Sequence, residues 1–142
     1  MYIGIKHLHS FTAWLTLAFL IIAVGYAFYC RFSSKPFTKV SKALTVLGLI
    51  GTHTQFVFGL LLYFLSPLGV SNFSGGAMGN SVSRLYILEH PLMMIIAVGL
   101  ITYGYSKAKR LTDDKAKFNK ITVFYTLGLI AIISRIPWSA WL

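Results

Sequence analysis

Acidic residues are what this sequence has least of: three Asp and Glu stand against thirteen Lys and Arg, for a formal charge of +10. Two of the three, Asp113 and Asp114, share one polar segment, so Glu89 is the only acid elsewhere in the chain. Charged residues of both signs make up 11% while 56% are hydrophobic, a balance too apolar for an average soluble domain. The single cysteine, Cys30, excludes an internal disulfide and is read as structural. No Ser-His-Asp set, phosphate loop or dinucleotide fingerprint is present, which excludes hydrolases and kinases. No internal repeat of about 20–50 residues is visible.

What is present is a series of four long apolar runs. At roughly 20 residues per crossing, 142 residues hold about four membrane spans and little else. The pattern predicts spans over about residues 5–30, 42–66, 83–106 and 121–138, within a single domain covering 1–142. The expected fold class is all-α, an integral membrane four-helix up-and-down bundle. The first run exceeds a signal-peptide core and lacks a small-residue cleavage pattern after it, so it is expected to stay as a span.

Ten of the thirteen basic residues fall in two stretches between apolar runs: Arg31, Lys35, Lys39 and Lys42, then Lys107, Lys109, Arg110, Lys115, Lys117 and Lys120. This is the positive-inside pattern, which predicts both stretches cytoplasmic and both termini extracytoplasmic. The lipid bilayer, through its anionic headgroups, is the expected counter-charge, and nucleic acid is excluded as a partner. Lys6, Arg84 and Arg135 remain, each near an outer helix end. Residues 67–82, rich in Gly, Ser and Asn and free of charge, make the outer loop, with Gly75, Gly76 and Gly79 arguing for mobility.

The third run places Glu89, His90 and Pro91 side by side in a stretch of membrane-spanning length. An ionisable group in such a stretch points to function. Pro91 has no N–H and clashes one turn back, so the Ile87 carbonyl is left free and the helix should bend beside His90. In the first run His9, Ala13, Thr16, Leu20, Ala23 and Ala27 line one helical face, mostly of small residues suited to close packing. His7 lies about 200° around the helix from His9, so only one of the two serves any given site, and His7 is expected among the headgroups. In the second run Gly51, Gln55 and Gly59 recur every four residues, while His53 and Gln55 put polar groups near mid-membrane. A rise of about 1.5 Å per residue sets His53 near the midplane, with His90 about 7 Å and His9 about 12 Å toward the outside. His90 is therefore the common partner, facing His53 or His9.

Imidazoles from different spans at nearby depth are what a membrane bundle needs to hold a haem iron through two axial ligands, with His90, His53 and His9 as the candidate metal ligands. Small residues such as Gly51, Gly59 and Ala13 would pass the macrocycle, and Lys6, Arg84 or Arg135 would meet its propionates. Glu89 or Gln55 would orient an imidazole through its second nitrogen. Three other readings stay open: interhelical hydrogen bonds only, a bare copper or zinc ion, and a proton relay through Glu89 and His90. Neither a cysteine ligand nor an i,i+4 histidine pair supports the bare metal.

The segments KHLHS (6–10), HTQFVFG (53–59), EHPLMM (89–94) and IPW (136–138) together resemble a family of small bacterial four-helix membrane proteins labelled cytochrome-b-like, over essentially the whole chain. That resemblance implies haem b (iron protoporphyrin IX) in a bacterial cytoplasmic (inner) membrane. More weakly, IKHLHSFTAW resembles the first span of the four-helix membrane protoporphyrinogen oxidases, which matches His9 and Trp14; EHP stands where that family has a histidine-lysine segment. The expected function is electron transfer with quinol or a partner redox membrane subunit, in a chain that can also self-associate. The rivals are a helper or structural subunit of a larger membrane complex and an oxidoreductase acting on porphyrinogen or quinone.

Overall fold

The computed structural model describes residues 1–141. Four long helices dominate it: α1 (Tyr2–Phe32), α2 (Lys39–Leu65), α3 (Ser81–Ala108) and α4 (Asp114–Ser134), followed by a short α5 (Trp138–Trp141). No strand occurs among the described residues. Each of the four is long and apolar enough to cross a membrane. Neighbours in sequence are neighbours in space, and α1 also packs on α4, closing the ring of a four-helix bundle.

Local chemistry sets the helix ends. Thr38 and Ser41 form a reciprocal capping box at the start of α2. Asp113 caps α4 by accepting from the Ala116 N–H at 2.9 Å. That cap starts α4 at Asp114, so Lys115, Lys117 and Lys120 ride on the helix where a loop was expected. The same helix stops at Ser134, short of the expected 138, because Pro137 cannot continue it. The segment 67–82, expected as irregular chain, contains a 3₁₀ turn at Val70–Asn72 and a helical turn at Gly75–Met78. Ser74 and Asn80 cap the turns that follow them, so local side-chain bonds give order where glycine count alone suggested none.

Packing is uneven along the bundle. Toward the basic end Tyr125 is fully buried, donating its hydroxyl to the Thr45 carbonyl at 2.8 Å, and Phe118, Ile121 and Cys30 pack around the same axis. Gly48 brings α2 against Tyr125 and Leu20, where an added Cβ would stand 3.3 and 3.2 Å from their side chains. On the opposite side Gly128 of α4 meets Ile101 of α3 so closely that a Cβ would lie 2.5 Å from it. Small residues thus let helix backbones approach, as close packing between apolar helices requires. Toward the histidine end the same four helices surround an open volume.

Candidate functional site: a histidine-lined cavity

A cavity of about 500 Å³ occupies that end, lined by all four long helices and by the turn into α5. Its walls are largely apolar, with Phe56, Met94, Ile132 and Ile136 among them, and a few polar groups converge on it from separate helices. His9 and His90 both line it. Their ring centroids stand 6.4 Å apart with the ring planes 85° to each other.

His90 is aimed by backbone chemistry. Residues Leu85–Glu89 form a π-turn inside α3, and the His90 N–H reaches back to the Leu85 carbonyl. The carbonyl that Pro91 was expected to leave free, that of Ile87, accepts the Tyr63 hydroxyl of α2 at 2.9 Å. A wide turn, a proline and one phenol therefore fix where His90 leaves the helix. Its Nδ1 lies 2.8 Å from the Arg135 carbonyl. A carbonyl only accepts, so Nδ1 carries the proton and Nε2 keeps a free lone pair.

His9 sits on the glycine face of α2. A Cβ at Gly59 would come 3.0 Å from its Cε1, so only glycine leaves the ring its place. The Gln55 amide donates to the His9 carbonyl at 2.8 Å and accepts from the Thr12 hydroxyl at 2.5 Å. The amide nitrogen is 3.1 Å from Nδ1 and 3.4 Å from Nε2, close to both ring nitrogens and so in line with neither lone pair. Gln55 thus fixes the backbone beside His9 and leaves the protonation of its ring open. Thr12 is a partner that sequence reasoning missed.

His53 is not part of this cavity. It is exposed on the outer side of α2, where Nε2 is 2.8 Å from the Thr102 hydroxyl. The choice between His53 and His9 as the residue facing His90 therefore falls to His9, and the three histidines proposed as metal ligands do not come together. The reason is rotational: His53 lies two residues from both Gly51 and Gln55, about 200° around the helix from the face that packs. That signal was present in the i,i+4 spacing of Gly51, Gln55 and Gly59. His7 is exposed as well.

The second correction concerns Glu89, which touches no imidazole. It pairs with Arg84 Nε at 2.8 Å and with Arg135 Nε at 3.5 Å, all three groups partly exposed. It so ties the beginning of α3 to the end of α4, whose carbonyl holds His90. Lys6 lines the cavity and is in no ion pair among the described residues. Tyr63 and Trp141 were not foreseen. The freed Ile87 carbonyl was the available hint for a donor such as Tyr63. Trp141 lines the cavity and stacks on Trp14 with centroids 4.3 Å apart. Among the described residues no three of His, Cys, Asp and Glu converge, so a bare metal here would find at most two ligands of those types.

A scan against protein-family models gives no match, and neither the search of curated proteins nor that of solved structures gives one.

Proposed function

We propose that this chain is a multi-pass protein of the bacterial cytoplasmic membrane, with both termini extracytoplasmic, that holds haem b between His9 and His90. In this reading it passes electrons between quinol, or a partner redox subunit, and another centre. The observation that carries the reading is the pair of inward imidazoles, on different helices, facing each other across an apolar cavity.

The residues present fit the group. His9 and His90, on different helices with ring centroids 6.4 Å apart, would together hold its iron. His90 offers the free Nε2, while its Nδ1–H bond to the Arg135 carbonyl holds the ring and raises its basicity. Gly59 leaves the His9 ring its space. Of the three cations expected to meet the propionates, Lys6 lines the cavity and would meet one, while Arg84 and Arg135 pair with Glu89 outside its lining. Bound there, haem b would supply a one-electron carrier whose potential the axial pair and the apolar walls tune.

The test is an absorbance spectrum of the purified protein after haem supplementation. A Soret band and a pyridine-haemochrome signal are expected in the parent and in His53→Ala, and both should be lost in His9→Ala and His90→Ala. A parent protein without them would overturn the proposal.

One set of observations favours a helper subunit whose polar groups serve packing alone: the His53–Thr102 and Thr12–Gln55 contacts join helices, and the histidine pair also has the geometry of an edge-to-face contact. That reading expects His90→Gln to be tolerated with no change in any spectrum. An enzyme acting on porphyrinogen or quinone at the same cavity would instead complement a strain blocked in that step.

A further inference from the structure

The opposite end of the bundle holds a second concavity, of about 290 Å³, formed where the end of α1 and the turn after it meet the start of α4. Arg31, Lys35 and Lys115 line it, with Asp114 as the only acid. Neither Asp114 nor any of the three cations is in an ion pair within 4.0 Å among the described residues. The pocket therefore carries a charge of +2 that no protein carboxylate takes up by contact.

Its geometry is built rather than a row of solvated lysines. Arg31 is half-buried; its Nε donates to Asn119 Oδ1 of α4, and its guanidinium stands 4.7 Å from the Phe32 ring centre. Those two contacts orient the fork and leave its terminal nitrogens for a ligand. Ser34 adopts a left-handed φ of 52°, and the Lys35 N–H closes the turn on the Cys30 carbonyl at 2.9 Å. This turn doubles the chain back, which sets Lys35 in the same pocket as Arg31.

We infer that this pocket is a phosphate-binding site whose ligand is the phosphodiester headgroup of an anionic phospholipid. A planar, pre-oriented arginine with two flanking ammonium groups suits a phosphate oxygen cluster. The lipid source is favoured because the pocket opens at the end of helices long and apolar enough to span a bilayer, beside Phe32 and Tyr29, which are 70% and 57% exposed. Basic pockets at the cytoplasmic edge of helical bundles recognise such headgroups. The lipid source rests on the membrane insertion proposed above and is independent of haem; the phosphate chemistry needs neither.

Native mass spectrometry of the detergent-purified full chain tests this. The protein is titrated with phosphatidylglycerol, phosphatidylcholine and inorganic phosphate in separate arms. The parent should retain phosphatidylglycerol in preference to phosphatidylcholine. Each cation near a phosphate surface is worth about fivefold, so Arg31→Gln/Lys35→Gln/Lys115→Gln should weaken retention on the order of 100-fold. Lys107→Gln/Lys109→Gln/Lys120→Gln removes equal charge and should weaken it far less. Equal losses in the two triples, or no preference over phosphatidylcholine, would overturn the site. Retention of inorganic phosphate alone, with the same dependence on Arg31, would overturn the lipid source. Should the site triple lose its helical circular dichroism, Lys115→Gln alone must still show about a fivefold loss. Failure of the chain to fractionate with membranes separates a fault in the insertion reading from a fault in the site.

Discussion

Replacing Tyr63 by Phe removes one oxygen, the donor that reaches the Ile87 carbonyl at 2.9 Å. Pro91 cannot supply an N–H to that carbonyl, so the variant leaves it without a described partner beside the π-turn that aims His90. An unsatisfied buried polar group costs about 1–3 kcal/mol in soluble proteins, and interhelical bonds within a bilayer average about 0.6 kcal/mol with a maximum near 1.7. The expected loss is therefore about 1–1.5 kcal/mol, read as a shift in denaturant unfolding followed by circular dichroism in mixed micelles. Pro91→Ala returns the N–H that an α-helix directs at Ile87. In that background Tyr63→Phe should cost only a few tenths of a kcal/mol, giving a coupling of about 1 kcal/mol between two residues on different helices. Equal costs in both backgrounds would refute the account of how the π-turn is held.

Gly128→Ala should lower stability by about 1–3 kcal/mol, because the new Cβ meets Ile101 at 2.5 Å and the Ala97 carbonyl at 3.3 Å; Gly99→Ala, with open space around it, should cost nothing in the same unfolding assay. Gly59→Ala should displace His9, and in the haem reading should lower haem retained through purification severalfold, measured by pyridine haemochrome. Glu89→Gln releases Arg84 and Arg135 from a partly exposed network, so stability should fall by less than about 1 kcal/mol. Its effect should fall instead on the reduction potential of bound haem, which rises or falls with local charge and with how the Arg135 carbonyl holds His90. Val57→Ala, on the outward side of α2, is expected to change none of these readouts.

Hydropathy and charge placement made four helices legible, because apolar length is a property of the chain itself and needs no partner to be counted. The row His9 to Ala27 and the row Gly51, Gln55, Gly59 marked the packing faces of α1 and α2; Thr16 donates to the Gly51 carbonyl at 3.1 Å where those rows meet. Depth was a poorer guide. It put His53 in competition with His9, although helix rotation carries His53 to the outside. The attraction of a carboxylate beside a histidine also misled. Adjacent side chains on a helix diverge, and Glu89 turned to two arginines distant from it in sequence or across a turn.

By itself, then, the sequence determined the class of fold, the number of long helices, the small-residue faces on which they approach and the place in α3 where proline withholds an N–H. Tertiary structure alone decided that His9 faces His90, that the Arg135 carbonyl fixes the His90 tautomer and that Tyr63 serves the freed Ile87 carbonyl. The physical reason is that periodicity specifies which way a residue points from its own axis, whereas a contact also needs the rotation and offset of a second helix. Those are set by how glycines and bulky side chains interlock along the whole bundle.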